Sequence, residues 1–505
     1  MKAVFILFDT LNLGSIGPYN QDGGKTPNFD RLAKNSLTFD NHYVGSLPCM
    51  PARRELLTGR YNFLHRSWGP LEPFDNAFPE ILSKECSVYS HLVSDHSHYW
   101  EDGGATYHTR YDSVEMIRGQ EKDAWKGIVD PLPEWEQKYH PSQYAIALRH
   151  KLRRNIVNRE FYKDYEQYPA VQTFDSGLEF LSLNHKADNW FLQIETFDPH
   201  EPFQVPDNFR KDFPTEYRGP TLDWPRYGAV EETPEEIAEL RANYRATIAH
   251  CDYQLGRVLD FFDEHNLWKD TLLVVTTDHG FLLGERDLWG KNMMPVYNEI
   301  AHIPLFISHP EHLNKSGGRR SSLTQTIDLM PFFLDYFGAS IPSEVQGKSL
   351  IDVIESDKPV RQAGIYGLHG AAINVTDGRY TYFRYPKDIH GGNLNQYTLM
   401  PTHIQGFFSI DELKDATLSE PFNFTKGVKV MKTPSTPLSP VYNRQGAGVQ
   451  IDVQTRLYDL VSDPLQQTRI TDNEVEKKME SFIIELMKES DAPKELYYRF
   501  DLSDD

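Results

Sequence analysis

Short apolar runs rich in β-branched residues, KAVFILF, SVYSHLVS, WFLQIETF and TLLVVTT, are separated by longer stretches with helical spacing, and this alternation leaves few folds open. Strands divided by helices build a mainly parallel sheet covered on both faces. TPNFDRLAKNSL reads as one of the covering helices. TPEEIAELRANYRATIAHCDYQLGRVLDFFDEHNLW reads as another, with a Thr-Pro start and helical spacing through Ile237, Leu240, Tyr244, Ile248, Leu255 and Leu259. In such sheets ligands collect beyond the carboxyl ends of the strands. Asp9, after VFILF, and Asp278-His279, after LLVVTT, are therefore expected to face one crevice.

The pattern changes near residue 360. AAINVTDGRYTYFRY, a Gly/Asn/Pro-rich stretch from Pro386 to Thr402, and TRLYDLVSDPLQQTRITDN read as short strands and turns, followed by a terminal helix near VEKKMESFIIELMKES. The expected organisation is an α/β catalytic domain over 1–360, with a long insertion at about 100–230, and a smaller α+β subdomain with an antiparallel sheet over 361–505. The insertion is rich in Trp, Tyr, Pro and charge, and specificity commonly resides in such segments. Trp100, Trp125, Trp135 and Trp224 are candidates for stacking on a sugar or a steroid, or for forming the insertion's own core.

A net charge of −21 argues against a nucleic-acid or anionic-membrane surface, so an anionic substrate needs a local cluster of cations. The first apolar run is short and is followed at once by Asp9, well below the about 18 apolar residues that cross a bilayer. It reads as a buried strand rather than a leader, which makes a cytoplasmic location the expectation. Cys49, Cys86 and Cys251 are too widely spaced for a disulfide framework or a cysteine zinc site. Cys86 and Cys251 read as packed small hydrophobes.

Cys49 sits in SLPCMPARRELLTGR, at what reads as a helix start. A group there feels the positive end of the helix dipole and unpaired backbone N–H groups, which suit an ionised oxygen and an incoming anion. Arg53, one turn on, lies on the same side of the helix. Cys49-Met50-Pro51-Ala52-Arg53 with Leu57-Thr58-Gly59-Arg60 resembles the C-x-P-x-R…TGR motif of the type I sulfatases. The resemblance implies an alkaline-phosphatase-like fold, a divalent metal, and conversion of Cys49 by a maturation enzyme to formylglycine, whose hydrate is the nucleophile.

The rest of the family pattern follows in order. Asp9 and the TTDHG residues Asp278 and His279 match its metal ligands, joined by an oxygen of residue 49. A mostly oxygen-lined site suits calcium, with magnesium or manganese as alternatives. Many members carry two aspartates after the first strand, whereas here Thr10 follows Asp9 and offers a neutral oxygen or a cap. HGFLLGERDLWGKNMMPVYNEIAHIPLFI resembles the family's HGxxLGExxxWxK…YxExxxxPL segment and makes Lys291 the lysine that bridges sulfate and leaving group. TFDPHEP resembles the PH-x-P segment, with His200 the candidate general acid.

YSHLVSDHSHYW aligns with the usual Gly-Lys-Trp-His segment so that His96 replaces lysine and His98 matches histidine, both expected at the substrate. Asp95, His96 and His98 could alternatively form a separate metal cluster. LYDLVSDP and VTDGRYTYFRYP resemble the family's C-terminal strands, where His369, His390 and Asn395 are further candidate contacts. The resemblance runs from Val4 to about Asp472.

The implied activity is hydrolysis of a sulfate ester, from a small molecule or a glycan, to alcohol and inorganic sulfate. Cys49, Arg53, His98, His200, Asp278 and Lys291 are the catalytic candidates, Asp278 as the base that deprotonates the second hydroxyl. His96, His98, His200 and Lys291 would bind substrate, and Asp9, Thr10, Cys49, Asp278 and His279 the metal. Thr10 and the absent lysine at 96 leave a phosphonate monoester or phosphodiester hydrolase on the same scaffold as the alternative. A non-catalytic sulfated-glycan binder is disfavoured, because binding alone needs no convertible cysteine. Oligomeric state is left open.

Overall fold

The computed structural model describes residues 1–147, 153–391, 394–435, 439 and 449–502. Its centre is an eight-stranded sheet. The strands are β1 (Lys2–Phe8), β2 (Leu37–Phe39), β3 (Tyr89–Ser94), β4 (Ser113–Met116), β5 (Trp190–Thr196), β6 (Thr271–Thr277), β7 (Leu305–Ser308) and β8 (Arg319–Arg320). They lie in the order β8-β2-β7-β6-β1-β5-β3-β4, and only β7 runs antiparallel to its neighbours.

Every residue of β1 is buried because both faces are covered, which is why the run is apolar from Ala3 to Phe8. Ala3, Phe5 and Leu7 pack with Met50, Leu56 and Leu57 of α2 (Cys49–Thr58) and with Phe78 and Leu82 of α3 (Phe78–Cys86). Val4, Ile6 and Phe8 face the other layer, with Phe29 and Leu32 of α1 (Pro27–Asn35), Phe174 and Leu181 of α4 (Pro169–Asn184) and Leu240, Tyr244, Leu255 and Leu259 of α5 (Pro234–Glu264). Helix α5 begins where the Thr-Pro signal places it: Thr233 and Glu236 form a reciprocal capping box.

In the C-terminal region a four-stranded antiparallel sheet joins Gly364–Gly367, Ile373–Thr376, Tyr380–Arg384 and Arg456–Asp459, backed by the helix Asn473–Glu489. Its core is continuous with Tyr43, Leu47, Tyr61 and Ile300, so this sheet is packed against the segment that carries Cys49. A second antiparallel sheet joins Asn395–Thr398, within the Gly/Asn/Pro-rich stretch, to Met431–Pro434 and Thr417–Leu418. Its strands are two to four residues long, too short for periodicity to mark. Of the stretch from Pro386 to Thr402, residues 392–393 lie outside the described residues. Among the described residues no helix is long and apolar enough to cross a membrane.

Candidate active site

Four adjacent parallel strands, β6, β1, β5 and β3, end side by side, with Phe8 level with Thr196 and Thr277 and Ser94 level with Glu195. Their carboxyl ends therefore bring Asp278-His279, Asp9, Glu195 and Asp95-His96 to one crevice. Helix α2 starts over it at Cys49 and stops at Gly59, whose left-handed φ of 63° lets its N–H reach the Glu55 carbonyl.

Ligand atoms of Asp9, Cys49, Asp278 and His279 all lie within 4.8 Å of one another, and the four residues are buried. Among the described residues this is the group of three or more His, Cys, Asp or Glu side chains close enough to hold an ion. His279 has the tautomer a ligand needs. Its Nδ1 donates to the Gly280 carbonyl at 3.0 Å, which leaves the Nε2 lone pair facing Cys49 Sγ at 3.3 Å and Asp278 Oδ2 at 3.3 Å. Burial and Lys291 push its pKa well below the usual histidine value, so it is neutral. The residues thus fit a hard dication: two carboxylates, a neutral imidazole and whatever atom residue 49 presents.

Arg53 is the hub between the strand ends. Its Nη2 reaches Asp9 Oδ2 at 2.9 Å, Nη1 reaches Asp278 Oδ2 at 2.7 Å and the Cys49 carbonyl at 3.1 Å, and Nε reaches Glu195 Oε1 at 2.6 Å. All four side chains are buried. Burial favours a neutral Asp9, but Arg53 and other cations outweigh it and hold its pKa well below the carboxylate range. Asp278 goes the other way, raised by burial and then by the charge of Asp9. A bound dication would draw both towards the ionised form. The Cys49 thiol is raised by burial and by Asp9, so unmodified cysteine here is a protonated, weak nucleophile.

Thr10 stands at φ 65°, a left-handed conformation costly for a β-branched residue. Its N–H donates to Asp278 Oδ1 at 3.1 Å, its hydroxyl to Asp9 Oδ1 at 2.7 Å, and Lys291 Nζ donates to that hydroxyl at 3.0 Å. Thr10 therefore stands between lysine and carboxylate, lying 4.0 Å apart, as a neutral spacer. Burial disfavours a charged Lys291, but the carboxylates of Glu201, Asp9 and Asp278 outweigh it and keep it protonated.

His200 closes the far side. Its Nδ1 donates to the Glu201 carbonyl at 2.5 Å, and burial with Lys291 lowers its pKa well below the usual value, leaving Nε2 with a free lone pair. His96 Nε2 lies 3.4 Å from Asp9 Oδ2, and burial followed by Arg53 keeps the ring neutral. It does not replace the cation of a lysine. His98 pairs through Nδ1 with Glu101 at 2.5 Å and meets the edge of Trp68.

The structure decides between alternatives that the sequence leaves open. Asp95, His96 and His98 do not form a second metal cluster: Asp95 accepts from the Phe197 N–H and Gln120, His96 faces Asp9 and His98 faces Glu101. His369 Nδ1 donates to the Phe63 carbonyl at 2.8 Å, and Asn395 Nδ2 donates to Glu495 at 2.7 Å. His390 is exposed beside Asp388. Trp135 is fully buried with Tyr139, Ile156 and Val157 and belongs to the insertion's own core. Glu195 was not expected at the site. Its signal is a glutamate inside the apolar run WFLQIETF, since a carboxylate fully buried in a strand needs a cation.

A model of the sulfatase family matches residues 2–339. The chain belongs to the sulfatase family. It is a sulfuric ester hydrolase of the alkaline phosphatase superfamily. A second model, N-sulphoglucosamine sulphohydrolase, C-terminal, matches residues 284–401. This sulfatase is 25% identical over 396 residues to an arylsulfatase of Clostridium perfringens, covering 72% of this chain and 81% of that one. It is 24% identical over 412 residues to an N-acetylglucosamine-6-O-sulfatase of Bacteroides thetaiotaomicron, covering 70% and 71%. It also superposes on the structure of a protein in complex with its substrate D-glucosamine-2-N,6-O-disulfate, with a TM-score of 0.64, 17% identity and 98% of each chain covered.

Proposed function

We propose that this sulfatase hydrolyses its ester with a formylglycine made from Cys49 and a divalent cation, calcium by the donor chemistry, held by Asp9, Asp278, His279 and residue 49. The observation that carries the reading is the buried convergence of these four residues on Arg53 and Lys291 at the N-terminus of α2. Were Asp9, Asp278 and Glu195 all ionised, Arg53 and Lys291 would leave one net negative charge, which repels sulfate. A dication reverses that sign and supplies Lewis-acid polarisation to the ester oxygens.

A hydrated aldehyde at 49 would supply the hydroxyl nucleophile that the raised thiol does not. The other parts follow from this chain's own residues. Lys291 and His98 receive the sulfuryl oxygens, and Arg53 fixes the carbonyl of residue 49 and both carboxylates, so that charge developing on the ester meets preorganised donors. Lys291, held protonated, is the donor for the departing oxygen. His200 takes that role once the substrate's negative charge lifts its pKa. Asp278, raised by its surroundings, is suited to accept a proton from residue 49. The alcohol is read as a sugar by analogy with the N-acetylglucosamine-6-O-sulfatase and with the protein in complex with the glucosamine disulfate.

The test is the mass of the tryptic peptide carrying residue 49 from protein made in its native host. A loss of about 18 Da from the cysteine form, a change outside the ordinary thiol oxidation ladder, together with abolished turnover in a folded Cys49→Ala variant, is the expected result. An unmodified thiol in fully active protein overturns it. Neutral His96 and Thr10 are the observations that favour a phosphonate monoester as a second substrate. A higher kcat/KM on an aryl phosphonate than on the matching aryl sulfate would establish that reading instead.

A further inference from the structure

Residues Arg118–Asp123 of the insertion are fixed over the crevice. Gln120 Nε2 bridges Asp95 Oδ2 at 3.1 Å and Asp198 Oδ1 at 2.9 Å, so the loop is tied to the segments that follow β3 and β5. Asn155 holds the Glu121 carbonyl at 3.0 Å, and Asp123 is locked by Arg118, Trp100 and the Gly119 N–H. This anchorage buries Glu121 and sets Lys122 against it, Nζ to Oε1 at 2.7 Å. Lys122 lies within the electrostatic reach of Cys49, and Glu121 within that of Glu201 and Tyr227.

Glu201 repeats the arrangement from the other side. Tyr227 donates to its Oε1 at 2.5 Å, and the residue is buried next to the candidate acid His200. In both glutamates the second oxygen, Oε2, is buried and receives no hydrogen bond. Glu201 Oε2 lies 3.3 Å from His200 Nδ1, but the hydrogen on that nitrogen goes to the Glu201 carbonyl. A buried carboxylate oxygen without a donor is costly, and two of them within electrostatic reach of each other, one beside His200, call for a ligand that brings O–H groups.

We propose that Glu121 and Glu201 form the subsite for the alcohol half of the ester, and that this alcohol is a hydroxyl-bearing sugar whose O–H groups donate to their free oxygens. The assignment rests on the sulfatase reading above and deepens it. An aryl alcohol offers these oxygens nothing, whereas a site built to bind hydroxyls rejects analogues that lack them. Lys122 neutralises Glu121, so the subsite recognises hydroxyls without demanding a cationic ligand.

The experiment uses the converted, metal-loaded enzyme and compares kcat/KM on monosaccharides sulfated at each hydroxyl in turn with kcat/KM on cyclohexylmethyl sulfate, an alkyl sulfate without hydroxyls, and on 4-nitrophenyl sulfate. At least one sugar sulfate is expected to exceed cyclohexylmethyl sulfate by about tenfold or more, the effect of one charge-assisted hydrogen bond. In Glu121→Gln the ratio of sugar to aryl turnover is expected to fall by a similar factor. Equal turnover of the sugar and carbocyclic esters by the wild type overturns the subsite and needs no variant to fold. So does an unchanged ratio in folded Glu121→Gln. Turnover of the aryl ester alone overturns the subsite but leaves the sulfatase reading standing, whereas no turnover of any sulfate ester overturns both.

Discussion

Arg53 illustrates how a single side chain can serve fold and chemistry together. Its planar fork meets Asp9, Asp278 and Glu195 at once, a pattern that a lysine's point charge does not reproduce. Removing it leaves three buried carboxylates with one remaining cation, Lys291, on the opposite side of Thr10. Breaking buried pairs of this kind costs about 3–5 kcal/mol. Arg53→Met is therefore expected to be destabilised by that amount at neutral pH, as measured by urea denaturation of the metal-free protein. The pH dependence has a definite sign. Without Arg53 the folded-state pKa values of the carboxylates rise above their unfolded values, so the penalty is absent below the unfolded carboxylate range and grows as pH rises through it. The stability gap to wild type should narrow on going from pH 8 to pH 5. A gap that stays constant or widens would mean that Arg53 is not what compensates these carboxylates.

At the level of elements, β1, β5, β6 and α5 were legible because a strand buried on both faces reads as a mostly apolar run and a long helix keeps its period. Asp9, Cys49, Arg53 and Asp278-His279 were legible because they stand at strand and helix ends in family order. Glu195, Glu121 and Glu201 were not, since pairing a buried carboxylate depends on residues distant in sequence. Glu55 in α2 is a further case. It is fully buried, accepts from the Ser46 N–H at 2.6 Å and from the Thr326 hydroxyl, and so ties the helix to the loop that leads into Cys49. Gly45 makes room for it, as a Cβ there would run into the carboxylate. Burial, against these two donors, raises Glu55 to about 7. With the folded pKa above the unfolded value, the protonated form is favoured on folding, so Glu55 imposes no penalty below about pH 4.5 and an increasing one as pH rises to about 7. Glu55→Gln keeps an acceptor but cannot ionise. Its melting temperature should gain on wild type between pH 5 and 7.5, and parallel melting curves across that range would show that Glu55 is already ionised in the fold.

Across the whole molecule, charge decides what the crevice can accept. The chain carries a net charge of −21, and its centre, with Asp9, Asp278 and Glu195 facing Arg53 and Lys291, is itself negative while all three carboxylates are ionised. Lys291 and Lys122 are the cations placed to meet an anionic ester, and each is already engaged, by Thr10 and by Glu121. A sulfate entering this field needs a further positive charge at the strand ends, and the buried Asp9, Cys49, Asp278 and His279 donors are the place for it. A ligand that binds only the folded state stabilises it by RT ln(1 + [L]/Kd), or about 2.7 kcal/mol at a hundredfold excess over Kd. Titrating calcium into metal-stripped protein should therefore raise the melting temperature progressively, independently of any substrate and of the state of residue 49. Magnesium and manganese run in parallel identify the ion by the concentration at which each acts. Asp278→Asn removes one ligand charge and should move the response to higher calcium concentration, while lowering the mutual repulsion with Asp9 in the empty site. A melting temperature insensitive to all three ions at millimolar concentration would remove the dication, and the crevice would then have to bind its anion with Lys291, His98 and Arg53 alone.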